Sequence, residues 1–228
     1  MVNIQNMKKK LFIISILAAL VVVGLFWQNV KATETGPNSP GTMADDATVG
    51  TVAWLQPDEA KVSDNIYAQS QAILESSGGD GIIDNVISLV KGGVVFGDNK
   101  ARANTSIWPT SDTYISYGSS SDSWGVSLSG SDINDTTFGV VISAKGKTKG
   151  DISHYLKVTN FGFSIPTNAT VDGIDIGVEM KELITPNIYA LVDHVRITVY
   201  YTEAEENTGK FQIRSGNLEI KSGNLEIK

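Results

Sequence analysis

Strict alternation of apolar and polar residues over two long segments constrains this chain more than any other feature. In Val171–Lys181 and in Val192–Tyr201, almost every second residue is apolar. Successive side chains of a strand point to opposite faces, so this period predicts two strands with one buried and one exposed face. The apolar set is Ile174, Ile176, Val178, Met180, Val195, Ile197, Val199 and Tyr201.

Other short β-type segments are separated by turn residues throughout the region from Thr51 to Thr202. No part of this region carries a long apolar stripe of helical period, and Ala60–Leu74, the nearest case, has a broken register. Many short strands without crossover helices are typical of sandwiches and barrels. The sequence predicts an all-β fold, a two-sheet antiparallel β-sandwich of jelly-roll-like form.

Two local signals sharpen this prediction. Lys91, Gly92 and Gly93 separate the apolar segments Ile82–Val90 and Val94–Gly97, which indicates a hairpin because glycine tolerates positive φ. The acidic and amide residues of Ser131–Thr137 indicate one capped helical turn.

The C-terminus repeats one heptad three times, over 208–214, 215–221 and 222–228. Apolar residues recur two and five apart, whereas a helical heptad needs spacings of three and four. Each copy therefore predicts a short strand and a Ser-Gly-Asn turn, and stacking of copies would set Glu219 beside charges such as Lys221. Residues 204–207 are predicted to be a hinge.

The N-terminus has the pattern of an export signal. Three lysines, Lys8 to Lys10, precede the apolar run Leu11–Trp27, and Val30 and Ala32 suit signal peptidase. We expect cleavage after Ala32, so that 1–32 is a signal peptide. The alternative is an uncleaved anchor, although 17 residues is short for a bilayer span. Either way, the remainder is predicted to be secreted or displayed at the cell surface.

Residues 33–50 contain glycines, prolines and small polar residues with little apolar material. Such composition is typical of a linker. The predicted domains are therefore a linker over 33–50, a β-sandwich over 51–203, and the repeats.

Charge and cysteine content exclude several classes of function. Removing the signal takes away four of the 18 basic residues and none of the 25 acidic ones, which leaves a net charge of −11. This argues against nucleic acid and anionic lipid as partners, so membrane contact is expected only through an uncleaved N-terminal segment. With no cysteine, disulfides and thiolate chemistry are impossible.

Several short motifs together resemble a known family. They include Gly50–Trp54, Trp108–Tyr114, Phe138–Ala144, Asn160–Pro166 and Val192–Tyr201. As a set they resemble a poorly characterised family of β-sandwich modules found in secreted bacterial and phage-associated proteins. The resemblance implies an extracellular or virion-surface setting and does not imply a catalytic activity. In one departure from the family order, the segment 153–181 lies later in the chain.

An aromatic cluster is the first candidate binding site. The residues Trp108, Tyr114, Tyr117 and Trp124 fall within one serine-rich stretch. Aromatic faces beside hydroxyl and carboxylate groups suit sugar stacking, although the same residues can fill a core. We favour the interpretation that these residues fill the core, with a glycan site at the four residues as the alternative.

A glycine-rich acidic loop is the second candidate. Asp80 and Asp84 could offer oxygen ligands to calcium, although no EF-hand or nonapeptide pattern is present, and a plain turn is the alternative. The two histidines, His154 and His194, are expected to be exposed or packed rather than catalytic.

The sequence therefore predicts a secreted, non-catalytic surface or structural module that assembles or attaches through strand pairing of its repeats. A carbohydrate-binding module and a phage-derived virion component are the alternatives. No catalytic residues are predicted, and calcium is the one cofactor considered.

Overall fold

The computed structural model describes residues 31–72, 74–75, 81–148, 151–203, 211–212, 218–221 and 224–227. The segment Ala32–Glu203 is one compact unit, and Ala204–Lys228 lies outside it. The predicted sandwich therefore ends where expected, at residue 203, but begins at Ala32 rather than at residue 51. The predicted signal peptide falls almost entirely on residues that are not described, so it stays a prediction.

Nearly all regular structure in the described residues is β. The strands are β1 (Lys31–Asn38), β2 (Thr42–Asp46), β3 (Trp54–Leu55), β4 (Ala68–Ser70), β5 (Leu74–Glu75), β6 (Ile82–Lys91), β7 (Val94–Phe96), β8 (Thr113–Ser119), β9 (Gly139–Gly146), β10 (Tyr155–Thr159), β11 (Thr170–Ile184), β12 (Asn187–Glu203), β13 (Phe211–Gln212), β14 (Leu218–Lys221) and β15 (Asn224–Ile227). A 3-10 turn, Pro57–Ala60, and one short helix, α1 (Gly130–Asn134), complete the fold.

Two antiparallel sheets pack face to face, as predicted. The larger has the order β3-β4-β12-β11-β8, with β1 and β5 also paired to β12, and the smaller has the order β2-β10-β9-β6-β7. The long hairpin of β11 and β12 is formed by the two alternating segments, and Ile174, Ile176 and Val178 are fully buried beneath it. The two-sheet β-sandwich is therefore confirmed.

One hydrophobic core lies between the sheets. The larger sheet contributes residues such as Ile176 and Ile197, and the smaller contributes residues such as Ile87, Val140 and Leu156. Full burial of each such side chain stabilises the fold by about 1.5–3 kcal/mol. The core therefore accounts for a disulfide-free domain.

The two local signals are also confirmed. In the β6–β7 hairpin Lys91 pairs with Val94, and both Gly92 and Gly93 have positive φ, at 58° and 79°. The helix α1 begins after Ser129, whose hydroxyl accepts a hydrogen bond from the Asp132 backbone N–H, while the Asp132 carboxylate accepts one from the Ser129 N–H. This reciprocal pair is a capping box.

The prediction of a linker over 33–50 is wrong. Strand β1 pairs with β12 in one sheet, and β2 pairs with β10 in the other, with Met43 buried. Position 36 needs glycine, because a Cβ added there would meet the Ile197 carbonyl oxygen. Proline is tolerated in edge strands, which do not need every N–H. Partners far along the chain supplied the order that composition alone did not indicate.

The repeats form a separate antiparallel sheet in the order β13-β14-β15. Their predicted strand character is confirmed, but the expected charge pairing is not. Glu219 is the register partner of Glu226 and of Gln212, and Lys221 is the partner of Asn224. Antiparallel pairing reverses the direction of the second copy, so the glutamates come opposite each other.

Candidate functional site

The aromatic cluster, for which a glycan site was the alternative prediction, lies mostly in the core. Trp108 and Trp124 are 2% and 0% exposed, and Tyr117 is 3% exposed. The Trp124 indole N–H donates to the Ile174 carbonyl oxygen at 3.0 Å. Buried rings offer no face to a sugar, so the glycan prediction is wrong for these three residues. Only Tyr114 of the four is partly exposed.

Asp84, one of the two predicted calcium ligands, is the acceptor of a buried hydrogen-bond network. Its carboxylate accepts from the Trp108 indole N–H at 2.7 Å, from the Tyr117 hydroxyl at 3.1 Å, and from the Arg102 Nε at 3.0 Å. The Arg102 backbone N–H donates as well, at 2.9 Å. Burial, and then the charge of Asp84, raises the pKa of Tyr117, so this hydroxyl stays protonated. The network pins the segment that follows β7 to the sandwich.

Calcium therefore has little to gain at Asp84, because both carboxylate oxygens already accept hydrogen bonds. Asp80 lies outside the described residues. Within the described ranges, no group of three or more metal-ligating side chains comes together. The same part of the chain contains no helix that is long and apolar enough to span a membrane.

A different polar cluster lies on the outer face of the larger sheet. Tyr114 on β8, Glu179 on β11 and His194 on β12 are register partners, so their side chains form a row across three strands. Glu179 and His194 occupy polar positions of the two alternating segments. Pairing of the strands, rather than proximity in sequence, creates this row.

His194 is held from both sides. Its Nδ1 lies 2.7 Å from the Tyr114 hydroxyl, and its Nε2 lies 2.9 Å from the Ser39 hydroxyl. The ring is only 8% exposed, and burial lowers the pKa of His194 despite the nearby Glu179 charge. His194 is therefore a neutral imidazole at physiological pH, with one donating and one accepting nitrogen.

A β-bulge brings another carboxylate to this face. Met180 pairs with Val192, and Glu179 pairs with His194, so Asp193 is the extra residue between them. Asp193 is 1% exposed, and its Oδ2 accepts a hydrogen bond from the Asn65 N–H at 3.2 Å. Burial raises the pKa of Asp193, and the charges of neighbouring carboxylates raise it further.

Charged residues flank the row at both ends. Lys181 donates to the Asp112 carboxylate at 3.0 Å and to the Tyr67 hydroxyl at 2.7 Å. At the other end, the Arg196 guanidinium lies 4.0 Å from the centre of the Tyr114 ring. The Arg196 contact helps to hold Tyr114 beside His194.

Buried carboxylate oxygens without a partner concentrate here. Among the described residues they are Asp112 Oδ1, Glu179 Oε2 and Asp193 Oδ1, alongside one hydroxyl, Thr33 Oγ1. Unsatisfied buried acceptors cost roughly 1–3 kcal/mol each, so they occur where the fold tolerates strain or uses the group.

The second histidine belongs to the smaller sheet. His154 Nδ1 lies 2.9 Å from Asp45 Oδ2, just before β10. It therefore forms a separate polar pair with Asp45 of β2.

Sequence reasoning missed the Ser39–His194 contact because it placed Ser39 in a linker. The signal that could have found the row was the polar positions of the two alternating strands, where Glu179 and His194 fall opposite each other once the hairpin is closed. Ser39 lies 155 residues from His194 and gives no such signal.

No protein-family model, curated protein or solved structure matches this chain. The resemblance to secreted and phage-associated β-sandwich modules therefore stays a prediction.

Proposed function

We propose that this chain is an exported surface module that self-associates through its C-terminal repeats. The observation that carries the proposal is the register of β14 and β15, which come from two identical heptads. Leu218 pairs with Ile227, Glu219 with Glu226, and Ile220 with Leu225. This pairing is symmetric, because each strand presents the same residues to the other.

A strand that pairs with a copy of itself within one chain can pair in the same way between chains. The partner that fits is therefore a second copy of this protein, in the self-complementary arrangement of a two-fold dimer. In the described residues β15 has β14 on one side only, and an edge strand is a template for further pairing. Three short strands also bury little surface by themselves, which favours assembly.

The proposal is tested by removing residues 208–228 and measuring the molar mass in solution by light scattering. We expect the full chain to form dimers or larger species and the truncated chain to be monomeric. Circular dichroism should show that the sandwich remains folded in both. Equal molar masses for the two chains would refute the proposal.

Two point variants separate strand pairing from nonspecific adhesion. Replacing both Leu225 and Ile227 with aspartate should abolish association, because it removes the apolar positions of β15. Glu226→Gln should strengthen association by about 0.2–1 kcal/mol, since two copies of β15 paired in this symmetric register would place Glu226 opposite Glu226 of the other copy, as it lies opposite Glu219 within the chain. Weaker association of Glu226→Gln would contradict the register on which the proposal depends.

A further inference from the structure

An exposed serine lies against a buried imidazole on the larger sheet. Ser39 follows β1 and is exposed, and its hydroxyl lies 2.9 Å from His194 Nε2. This distance is within the range that joins a nucleophile to its general base. The hydroxyl can therefore meet a substrate from solvent while the base behind it is shielded from water.

The Tyr114 hydroxyl lies beside Nδ1 of His194. Burial, and then Glu179, raises the pKa of Tyr114, and a carboxylate only accepts hydrogen bonds, so we place the single phenolic proton toward Glu179. The Tyr114 oxygen then accepts from His194 Nδ1–H at 2.7 Å. A neutral imidazole with its proton on Nδ1 has a free acceptor at Nε2, which faces Ser39.

We propose that Ser39 is a nucleophile activated by His194, and that the sandwich transfers acyl groups from activated esters through this serine. The Ser39 oxygen attacks the ester carbonyl carbon while its proton passes to His194 Nε2. The bond to the leaving alcohol or phenol then breaks, and that group takes the proton from His194. Water, deprotonated by the same nitrogen, releases the acid and restores the serine.

Charges around the ring support the step that forms the imidazolium. Glu179 on β11 favours the protonated ring, and Tyr114 on β8, the register partner of Glu179, contacts the ring at Nδ1. Arg196 on β12 opposes protonation, but its guanidinium lies over the Tyr114 ring. The ammonium of Lys61, whose backbone bridges to His194, is paired with Asp58 at 2.7 Å.

The surroundings of Ser39 also set the substrate class. The next residue, Pro40, has no N–H, and the Gly41 N–H already donates to the Asn160 carbonyl oxygen at 2.8 Å. The developing oxyanion thus gains little help from these backbone groups. Esters with a good leaving group, rather than amides, are the substrates that such a site can turn over.

The test uses the full chain with p-nitrophenyl acetate and a fluorophosphonate probe, followed by peptide mass spectrometry. We expect a p-nitrophenol burst and a covalent adduct on Ser39, both lost in Ser39→Ala. Ser164→Ala, at another exposed serine, is the matched control and should react as the wild type does. An adduct spread over several serines, or equal burst amplitudes in wild type and Ser39→Ala, would overturn the proposal.

A second measurement tests His194 without replacing a buried residue. The labelling rate should fall on acidification with a midpoint below pH 6.5, because only the neutral ring accepts the proton. Tyr114→Phe keeps the ring beneath Arg196 but removes the hydroxyl that contacts His194 Nδ1, so labelling should slow roughly tenfold or more while circular dichroism shows that the sandwich remains folded. A rate that is independent of pH from 5 to 8, or equal in Tyr114→Phe, would refute the role of His194. The proposal concerns the sandwich alone, so truncating the repeats should leave labelling unchanged.

Discussion

Replacing Asp84 with asparagine should destabilise the sandwich more than any other replacement of a carboxylate by its amide. Every neighbour of this carboxylate is a donor: the Trp108 indole, the Tyr117 hydroxyl, and the backbone and guanidinium of Arg102. An amide retains one accepting oxygen and turns an NH₂ group toward donors. The change therefore leaves buried donors unsatisfied and Arg102 without its counter-charge.

The expected loss is about 3–5 kcal/mol, the usual cost of removing one partner from a buried ion pair. The Asp84 side chain is fully buried, which justifies this range rather than that of a surface pair. For a domain of this size, the loss lowers the melting temperature by roughly 6–20 °C. Urea unfolding followed by tryptophan fluorescence, together with calorimetry, measures both quantities.

The matched control is Asp58→Asn, which breaks the exposed pair with Lys61 and should cost less than about 1 kcal/mol. The double variant of Asp84→Asn with Arg102→Met should lose less than the sum of the two single variants, because the charges compensate each other. If Asp84→Asn unfolds within 1 kcal/mol of the wild type, the assignment of this network as a main determinant of stability is refuted.

Two further changes test the bulge at Asp193 and the packing of β9 in the smaller sheet. The pKa of Asp193 is raised, so its ionisation opposes folding and the stability it contributes is lost as pH rises above about 4. Asp193→Asn should therefore gain melting temperature over the wild type at pH 7 and little at pH 4, and an equal difference at both would contradict this. Gly139→Ala places a Cβ against the Val158 carbonyl oxygen and should cost about 2 kcal/mol or more by urea unfolding. Gly92→Asn, in open space at a φ that asparagine tolerates, should stay near wild type, and equal losses would refute the steric reasoning.

The strands with a strong alternating pattern were predictable from the residues alone. The strands β11 and β12, the glycine turn after β6 and the strand character of the repeats all follow from local patterns. These patterns act over a few residues, so they need no knowledge of distant partners. For the aromatic stretch, local patterns left both the core and a glycan site open, and only the structure shows that Trp108, Tyr117 and Trp124 are buried.

Residues 33–50 show where local reasoning fails. A segment with Gly36 and Pro37 has no intrinsic reason to be extended, yet β1 and β2 are held by β12 and β10. Backbone hydrogen bonds from strands more than a hundred residues away supply the order. Composition indicates whether a segment can fold by itself, whereas this segment is ordered by pairing with distant strands.

The candidate sites depend even more on tertiary structure. Asp84 reads as a calcium ligand in a glycine-rich loop, but a β-bulge and burial make it the acceptor for Arg102, Trp108 and Tyr117. Ser39 and His194 meet only because β1 pairs with β12.

The sequence by itself determined that the long alternating segments form strands, which face of each is apolar, and that two sheets enclose the core. Only the tertiary structure decided which polar side chains meet, because those contacts join residues that are far apart in the chain. Side-chain period is a local property, whereas the pairing of strands, their bulges and the burial of carboxylates are settled when the whole sandwich closes.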